Sequence, residues 1–174
     1  MARNVTVVTG GASGIGLACA KALGKYGPVV ISGRYEDRLQ AASKALTDLG
    51  IENYYKVADR SDLRAVQALA DFAVSKGEIK NIVNAAGISG DSPDATTRRV
   101  LEIDALGTVN AVKCFYPLLG KDSVQINISS MGRFTAVLWG ITEEQVIPHF
   151  ANWAKESFVD DVMQLIPDNE KGPD

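Results

Sequence analysis

Thr9, Gly10, Gly14 and Gly16 follow the apolar run Val5-Thr6-Val7-Val8, and their spacing T-G-x-x-x-G-x-G is a pattern able to do chemistry. Glycine admits positive φ and lets backbone N–H groups come close to a ligand. A helix opening directly from such a loop, here from Ile15 to about Tyr26, aims its N-terminal amides and positive dipole end at the same place. The expected ligand is an anionic pyrophosphate, with Ala12, Ser13 and Ile15 completing the cradle. A second candidate group closes the next apolar run, Val29-Val30-Ile31-Ser32-Gly33-Arg34. In dinucleotide-binding folds an acidic residue at this strand end bonds the adenosine ribose 2′-hydroxyl, and an arginine nearby accommodates a 2′-phosphate. Here Gly33 takes the acidic position and Arg34 brings a bidentate guanidinium, so NADP(H) is favoured as cofactor and NAD(H) remains possible.

Both groups need strand ends gathered on one edge of a sheet. Short apolar runs at about 4–9, 29–33, 53–58, 81–86 and 124–129 alternate with helical patterns, which predicts an α/β Rossmann-type doubly wound parallel sheet in a single domain. Gly50 and Gly77 suit the C-terminal ends of helices near 36–49 and 62–76, and Ser61 suits the N-cap of the second. From Asp94 to about Tyr116 runs a long helix with the apolar stripe Val100, Ile103, Leu106, Val109 and Val112, whose other face is available to a partner.

Composition narrows the function classes. The 174 residues, 46% of them hydrophobic, suit one domain with a sizeable core. Eighteen Lys and Arg against 21 Asp and Glu leave a net charge of −3 with no basic block, so neither nucleic acid nor an anionic membrane surface is an expected partner. Cys19 and Cys114 are isolated within apolar helical patterns, which favours buried reduced thiols over a disulfide or a metal site. No apolar run has the length of a membrane span and the chain enters a strand at once, so the expected location is cytoplasmic.

Three later segments carry a resemblance. Asp59 follows Val57-Ala58, Asn84-Ala85-Ala86-Gly87 ends the fourth strand, and Ile126-Asn127-Ile128-Ser129-Ser130-Met131-Gly132 ends the fifth. With the glycine loop these segments resemble the short-chain dehydrogenase/reductases over residues 4 to about 132. The resemblance implies hydride transfer between NADP(H) and a small-molecule carbonyl or secondary alcohol. It implies that Asp59 and Arg60 meet the adenine ring, and that Asn84, Ala85, Ala86 and Gly87, a variant of N-N-A-G, let the backbone pass close to the cofactor. It implies that Ser130 hydrogen-bonds the substrate carbonyl or developing alkoxide, with Ser129 as the competing choice. The family's V-N-x-x-G segment, whose asparagine supports a proton relay, corresponds to Ile103-Asp104-Ala105-Leu106-Gly107, so Asp104 is a catalytic candidate in place of that asparagine. Relatives pair through the long helix, which implies a homo-oligomer, dimer or tetramer.

The Tyr-x-x-x-Lys pair through which the family exchanges a proton has no match. Tyr26, Tyr35, Tyr54, Tyr55 and Tyr116 all precede Ser130, and none has lysine at the fourth place after it. Residues 133–174 instead read as a helical lid or insertion following the 1–132 cofactor-binding portion. Thr142-Glu143-Glu144-Gln145 forms a capping box, and Phe150, Trp153, Ala154, Phe158, Val162 and Leu165 mark an amphipathic helix over about 150–166. Some family members carry an insertion between serine and tyrosine, so the chain is expected to be part of a longer one. Trp139 and Trp153 suit core packing, and His149 suits a surface or helix-start position. A rival reading is an NADP(H)-binding or interaction protein without catalysis. A methyltransferase with a similar loop is disfavoured by the Asn84–Gly87 and Ser130 matches.

Overall fold

The computed structural model describes residues 3–89, 92, 95–130, 144, 148 and 155–164. In chain order the elements are β1 (Asn4–Thr9), α1 (Gly14–Leu23), β2 (Val29–Gly33), α2 (Glu36–Thr47), β3 (Asn53–Val57), α3 (Leu63–Val74) and β4 (Glu78–Asn84). Then come α4 (Thr97–Val100), a π-helical segment (Leu101–Leu106), α5 (Gly107–Phe115), β5 (Val124–Asn127) and α6 (Phe158–Met163). The five strands form one parallel sheet in the order β3-β2-β1-β4-β5. This is the Rossmann-like α/β arrangement that the alternation of runs predicts.

Side-chain alternation along the strands loads both faces of the sheet. Val5, Val7, Val30, Ile79 and Ile82 pack on one face with Val66, Leu69 and Ala73 of α3 and Ala111, Cys114 and Phe115 of α5. Val8, Val29, Ile31 and Val83 pack on the other with Ala20 of α1 and Leu39, Ala42 and Leu46 of α2. The chain winds outward from β1 to β3 on one side, then returns to place β4 against the other edge of β1. That reversal opens a crevice beyond the C-terminal ends of β1 and β4, the ligand position of open α/β sheets. Register keeps those ends level: Thr9 stands opposite both Ser32 and Asn84, and Asn84 opposite Asn127.

Several expectations need correction. β4 begins at Glu78 and ends at Asn84, so Ala85-Ala86-Gly87 lies in the following loop. β5 ends at Asn127; the Ile128 amide still donates to the Asn84 carbonyl at 3.0 Å, after which the chain leaves the ladder. The N-cap of α3 is Asp62, whose carboxylate accepts from the Arg64 amide, because Ser61 is turned toward Asp59. Cys114 is buried, but Cys19 is only half-buried. The long helix also buries a different stripe. Ile103, Gly107, Asn110, Ala111, Cys114 and Phe115 face the sheet side, while Leu106, Val109 and Val112 are half-exposed. The π-helical segment carries extra residues per turn and rotates the faces that follow it. Gly107 and Asn110 disguised the true stripe because neither is apolar.

α6 covers part of the face so displaced. Phe158, Val159 and Val162 pack on Leu101, Ala105 and Leu106, and Arg98 pairs with Asp160 at 2.8 Å. The expected 150–166 helix is described over 155–164, and there it begins at Phe158 because 155–157 form a turn. Asp94, Met131, Gly132, Trp139, Thr142, Glu143, Gln145, His149, Phe150, Trp153, Ala154 and Leu165 lie outside the described residues. Among the described residues no helix is long and apolar enough to cross a membrane, and no group of His, Cys, Asp and Glu is arranged to hold a metal.

Candidate active site

A cleft of about 610 Å³ lies beyond the ends of β1, β2 and β4. Its first wall is the glycine loop, Gly10 to Gly16, and its second is Ala85 to Ile88. The two walls approach so closely at Gly10 (φ +69°) that a Cβ there would stand 2.6 Å from both Cα and N of Ala86. Thr9 ties the walls together, its hydroxyl accepting from the Ala86 amide at 3.4 Å. Gly14 (φ +50°) is the opposite case: its Cβ would meet nothing within 4 Å, because it faces open space at the mouth of α1. A loop left open at Gly14 with a helix N-terminus behind it fits a pyrophosphate.

Ser32, Gly33, Arg34, Tyr35 and Arg38 line the far end of the cleft. The Arg34 and Arg38 guanidiniums lie 5.3 and 4.7 Å from the centroid of the Tyr35 ring. Arg38 was not picked out from the sequence. The available signal was its place four residues beyond Arg34, in the first turn of α2, which brings a second guanidinium to the same ring.

Asp59 sits at the cleft edge with both carboxylate oxygens engaged. Oδ1 accepts from the Ser61 amide at 2.9 Å and the Ser61 hydroxyl at 2.7 Å, while Oδ2 accepts from Arg99 at 2.5 Å. Arg99 also donates to the Ser61 hydroxyl and pairs with Glu102 at 3.3 Å. Burial of Asp59 opposes ionisation, but the Ser61 hydroxyl and amide together with Arg99 outweigh it and hold the carboxyl below its ordinary range. Arg99 comes from α4, forty residues away, so sequence proximity does not reveal it.

Arg60 is only 7% exposed. Its guanidinium donates to the Ala86 carbonyl and, at 2.6 Å, to the Thr108 hydroxyl. Asn110, buried in α5, donates to the Arg60 and Ser61 carbonyls at 3.0 and 3.2 Å and anchors this loop against the helix. Asn84 is buried and donates to Asn127 at 2.7 Å, coupling the ends of β4 and β5.

A second cavity, about 820 Å³, lies beside the first. Arg60, Ile15 and Ala85 to Ile88 line both, and Asp104, Asn127, Ser129, Ser130 and Phe158 line only the second. The structure thus brings Asp104 and Ser130 to one cavity. Ser129 and Ser130 are exposed there. The Asp104 carboxylate accepts from the Ile88 amide at 3.1 Å, and a Cβ on Gly87 would come equally near it. Desolvation raises the Asp104 pKa, with the Ile88 hydrogen bond and the Arg60 charge opposing that rise.

Comparison with known proteins agrees with this geometry. The human protein "Carbonyl reductase [NADPH] 1" (Homo sapiens) is 29% identical over 177 residues, covering 97% of this chain and 64% of that protein. The chain therefore spans slightly under two thirds of that relative's length. A short chain dehydrogenase/reductase from Burkholderia phymatum, solved in complex with NAD, superposes with a TM-score of 0.67 at 26% identity, over 75% of this chain and 50% of that one. A short chain dehydrogenase from Burkholderia cenocepacia J2315, in complex with NADP, does so at 0.64 and 30% identity, over 72% and 55%. The model of the short chain dehydrogenase family matches residues 4–142, a span that includes every strand bordering the cleft. A match of that extent makes this chain a member of the short chain dehydrogenase family.

Proposed function

We propose that the chain binds NADP(H) in the first cleft and presents a carbonyl or secondary alcohol to it from the Ser130 cavity, as the cofactor-binding portion of an NADP(H)-dependent oxidoreductase. The observation that carries the reading is the pair of guanidiniums, Arg34 and Arg38, at the end of β2 where Gly33 leaves no carboxylate. They suit the 2′-phosphate; Gly10, Ala12, Ser13, Gly14, Ile15 and Gly16 suit the pyrophosphate, and Asp59 and Arg60 border the adenosine side. When bound, the nicotinamide supplies the hydride. Ser130 donates a hydrogen bond to the substrate oxygen, and Ala85, Ala86 and Gly87 fix the depth of the cleft through their contact with Gly10. Asp104 holds the Ile88 amide and thereby the wall that both cavities share. The half-exposed Val112 side of α5 serves self-association, and the setting is cytoplasmic.

A second reading is favoured by one observation: an aspartate, Asp104, stands where the family has a relay asparagine. On that reading the chain binds the cofactor without turnover. Fluorescence titration with NADPH and NADH, followed by NADPH oxidation assays on a panel of ketones and aldehydes, separates the two. Tight NADPH binding, with turnover in a version extended through a Tyr-x-x-x-Lys segment, supports the first reading; binding with no turnover in either version supports the second, and no preference for NADPH refutes the cofactor assignment.

A further inference from the structure

A buried guanidinium is costly unless its donors are met and its charge is balanced. Arg60 occupies a position in the loop after β3 where an apolar side chain would close the core at no electrostatic cost. Instead its stem runs against the helix at Gly107, where any Cβ would stand 2.6 Å from its Cγ and Nε. The helix therefore needs glycine at that position for Arg60 to lie there. Two nitrogens are used on separate elements: one on the Ala86 carbonyl of the loop after β4, the other on the Thr108 hydroxyl of α5. Thr108 in turn donates to the Asp104 carbonyl at 2.7 Å. Nε has no acceptor among the described residues, so the placement is not explained by hydrogen bonding alone. Burial disfavours the Arg60 cation and the Asp104 charge opposes that effect without cancelling it; the Asp104 carboxylate itself accepts from Ile88, two residues beyond Ala86. Of the other ionisable groups nearby, Asp59 and Glu102 both pair with Arg99, and Asp62 caps α3 through the Arg64 amide.

We infer that Arg60 is a positioning residue that locks the loop after β4 onto the helix carrying Asp104, and that Arg60 and Asp104 act as one charge-coupled pair at the junction of the dinucleotide cleft and the Ser130 cavity. Arg60 holds Ala86 while Asp104 holds Ile88, so the shared wall is fastened at two points by side chains from different elements. The consequence for ligand binding rests on the proposed cofactor reading; the clamp itself does not.

The test is a 13C NMR titration of the Asp104 carboxyl in the wild-type chain, Arg60→Lys and Arg60→Leu, with NADPH affinity measured in parallel. Arg60→Leu is expected to move the Asp104 titration to higher pH and to weaken NADPH about tenfold, the scale of one lost hydrogen bond to a charged group. Arg60→Lys, which keeps the charge, is expected to leave the titration near its wild-type position. An Asp104 titration unchanged in Arg60→Leu overturns the inference. If Arg60→Leu does not fold, Thr108→Val removes one anchor and keeps the charge; faster hydrogen exchange at the Ile88 amide is expected, and unchanged exchange overturns the inference. A wild-type chain that shows the coupled titration but binds no NADPH would bring down the cofactor reading and leave the clamp standing.

Discussion

The Arg99 guanidinium and the Asp59 carboxylate meet at 2.5 Å, with side chains 27% and 32% exposed, and so fasten the start of the long helix to the loop after β3 at the edge of the cleft. Desolvation at Asp59 disfavours its charge, yet the Ser61 donors and Arg99 win, so its folded pKa lies below the ordinary 3.8. A depressed carboxylate contributes stability above its unfolded value and loses it as pH falls through the folded value. Arg99→Met should therefore cost about 1 kcal/mol at pH 7, after allowing for solvent screening. The difference from wild type should shrink as pH drops from 3.8 downward. Urea unfolding of both chains across that range checks it; a pH-independent difference would contradict the assignment.

Gly10 and Gly14 should respond differently to the same methyl group. At Gly14 the space is open, so Gly14→Ala carries only left-handed backbone strain, about 1–2 kcal/mol. At Gly10 the methyl also meets the Ala86 backbone at 2.6 Å, which neither wall can yield without opening the cleft. Gly10→Ala should lose clearly more stability than Gly14→Ala and should lose NADPH binding with it. Chemical denaturation and fluorescence titration give both quantities, and equal losses at the two sites would show that the walls are not in contact.

Arg34→Ala and Arg38→Ala should each weaken NADPH by roughly 1.5–3 kcal/mol, the scale of a charge-assisted hydrogen bond, and leave NADH nearly unchanged. Since both guanidiniums share the Tyr35 ring, the double variant should lose less than the sum of the single losses. Calorimetric titration with the two cofactors decides; parallel losses for NADH would place neither residue at the 2′-phosphate.

Turnover of carbonyl substrates by the 174-residue chain should be very slow, because general acid–base catalysis typically contributes about 10²–10⁴-fold and no Tyr-x-x-x-Lys pair is present to provide it. A steady-state assay on aldehydes and ketones measures this. Rapid turnover abolished by Ser130→Ala or Asp104→Ala would reveal a different proton donor.

Much of this protein is legible in its sequence for local reasons. The β-branched run 5–8, the glycine spacing that follows and the regular recurrence of apolar segments each report a period or a backbone requirement, and those suffice for the α/β class and for a glycine loop at the end of β1. Gly33 and Arg34 are adjacent in the chain, so the cation at the end of β2 is equally readable. What the sequence left open depends on residues distant in the chain. Ser61 and Asp62 are both competent caps, and Asp62 holds the position because Ser61 is held by Asp59 and Arg99. The buried face of the long helix was set by the π-helical segment, whose extra residues per turn change the phase that a regular 3.6-residue period assumes. Arg60 read as an adenine contact beside Asp59, and only folding placed its guanidinium between Ala86 and Thr108. Its neighbours there are 26 and 48 residues away, and a charge is tolerated in that interior only where the packed elements supply acceptors and a countercharge.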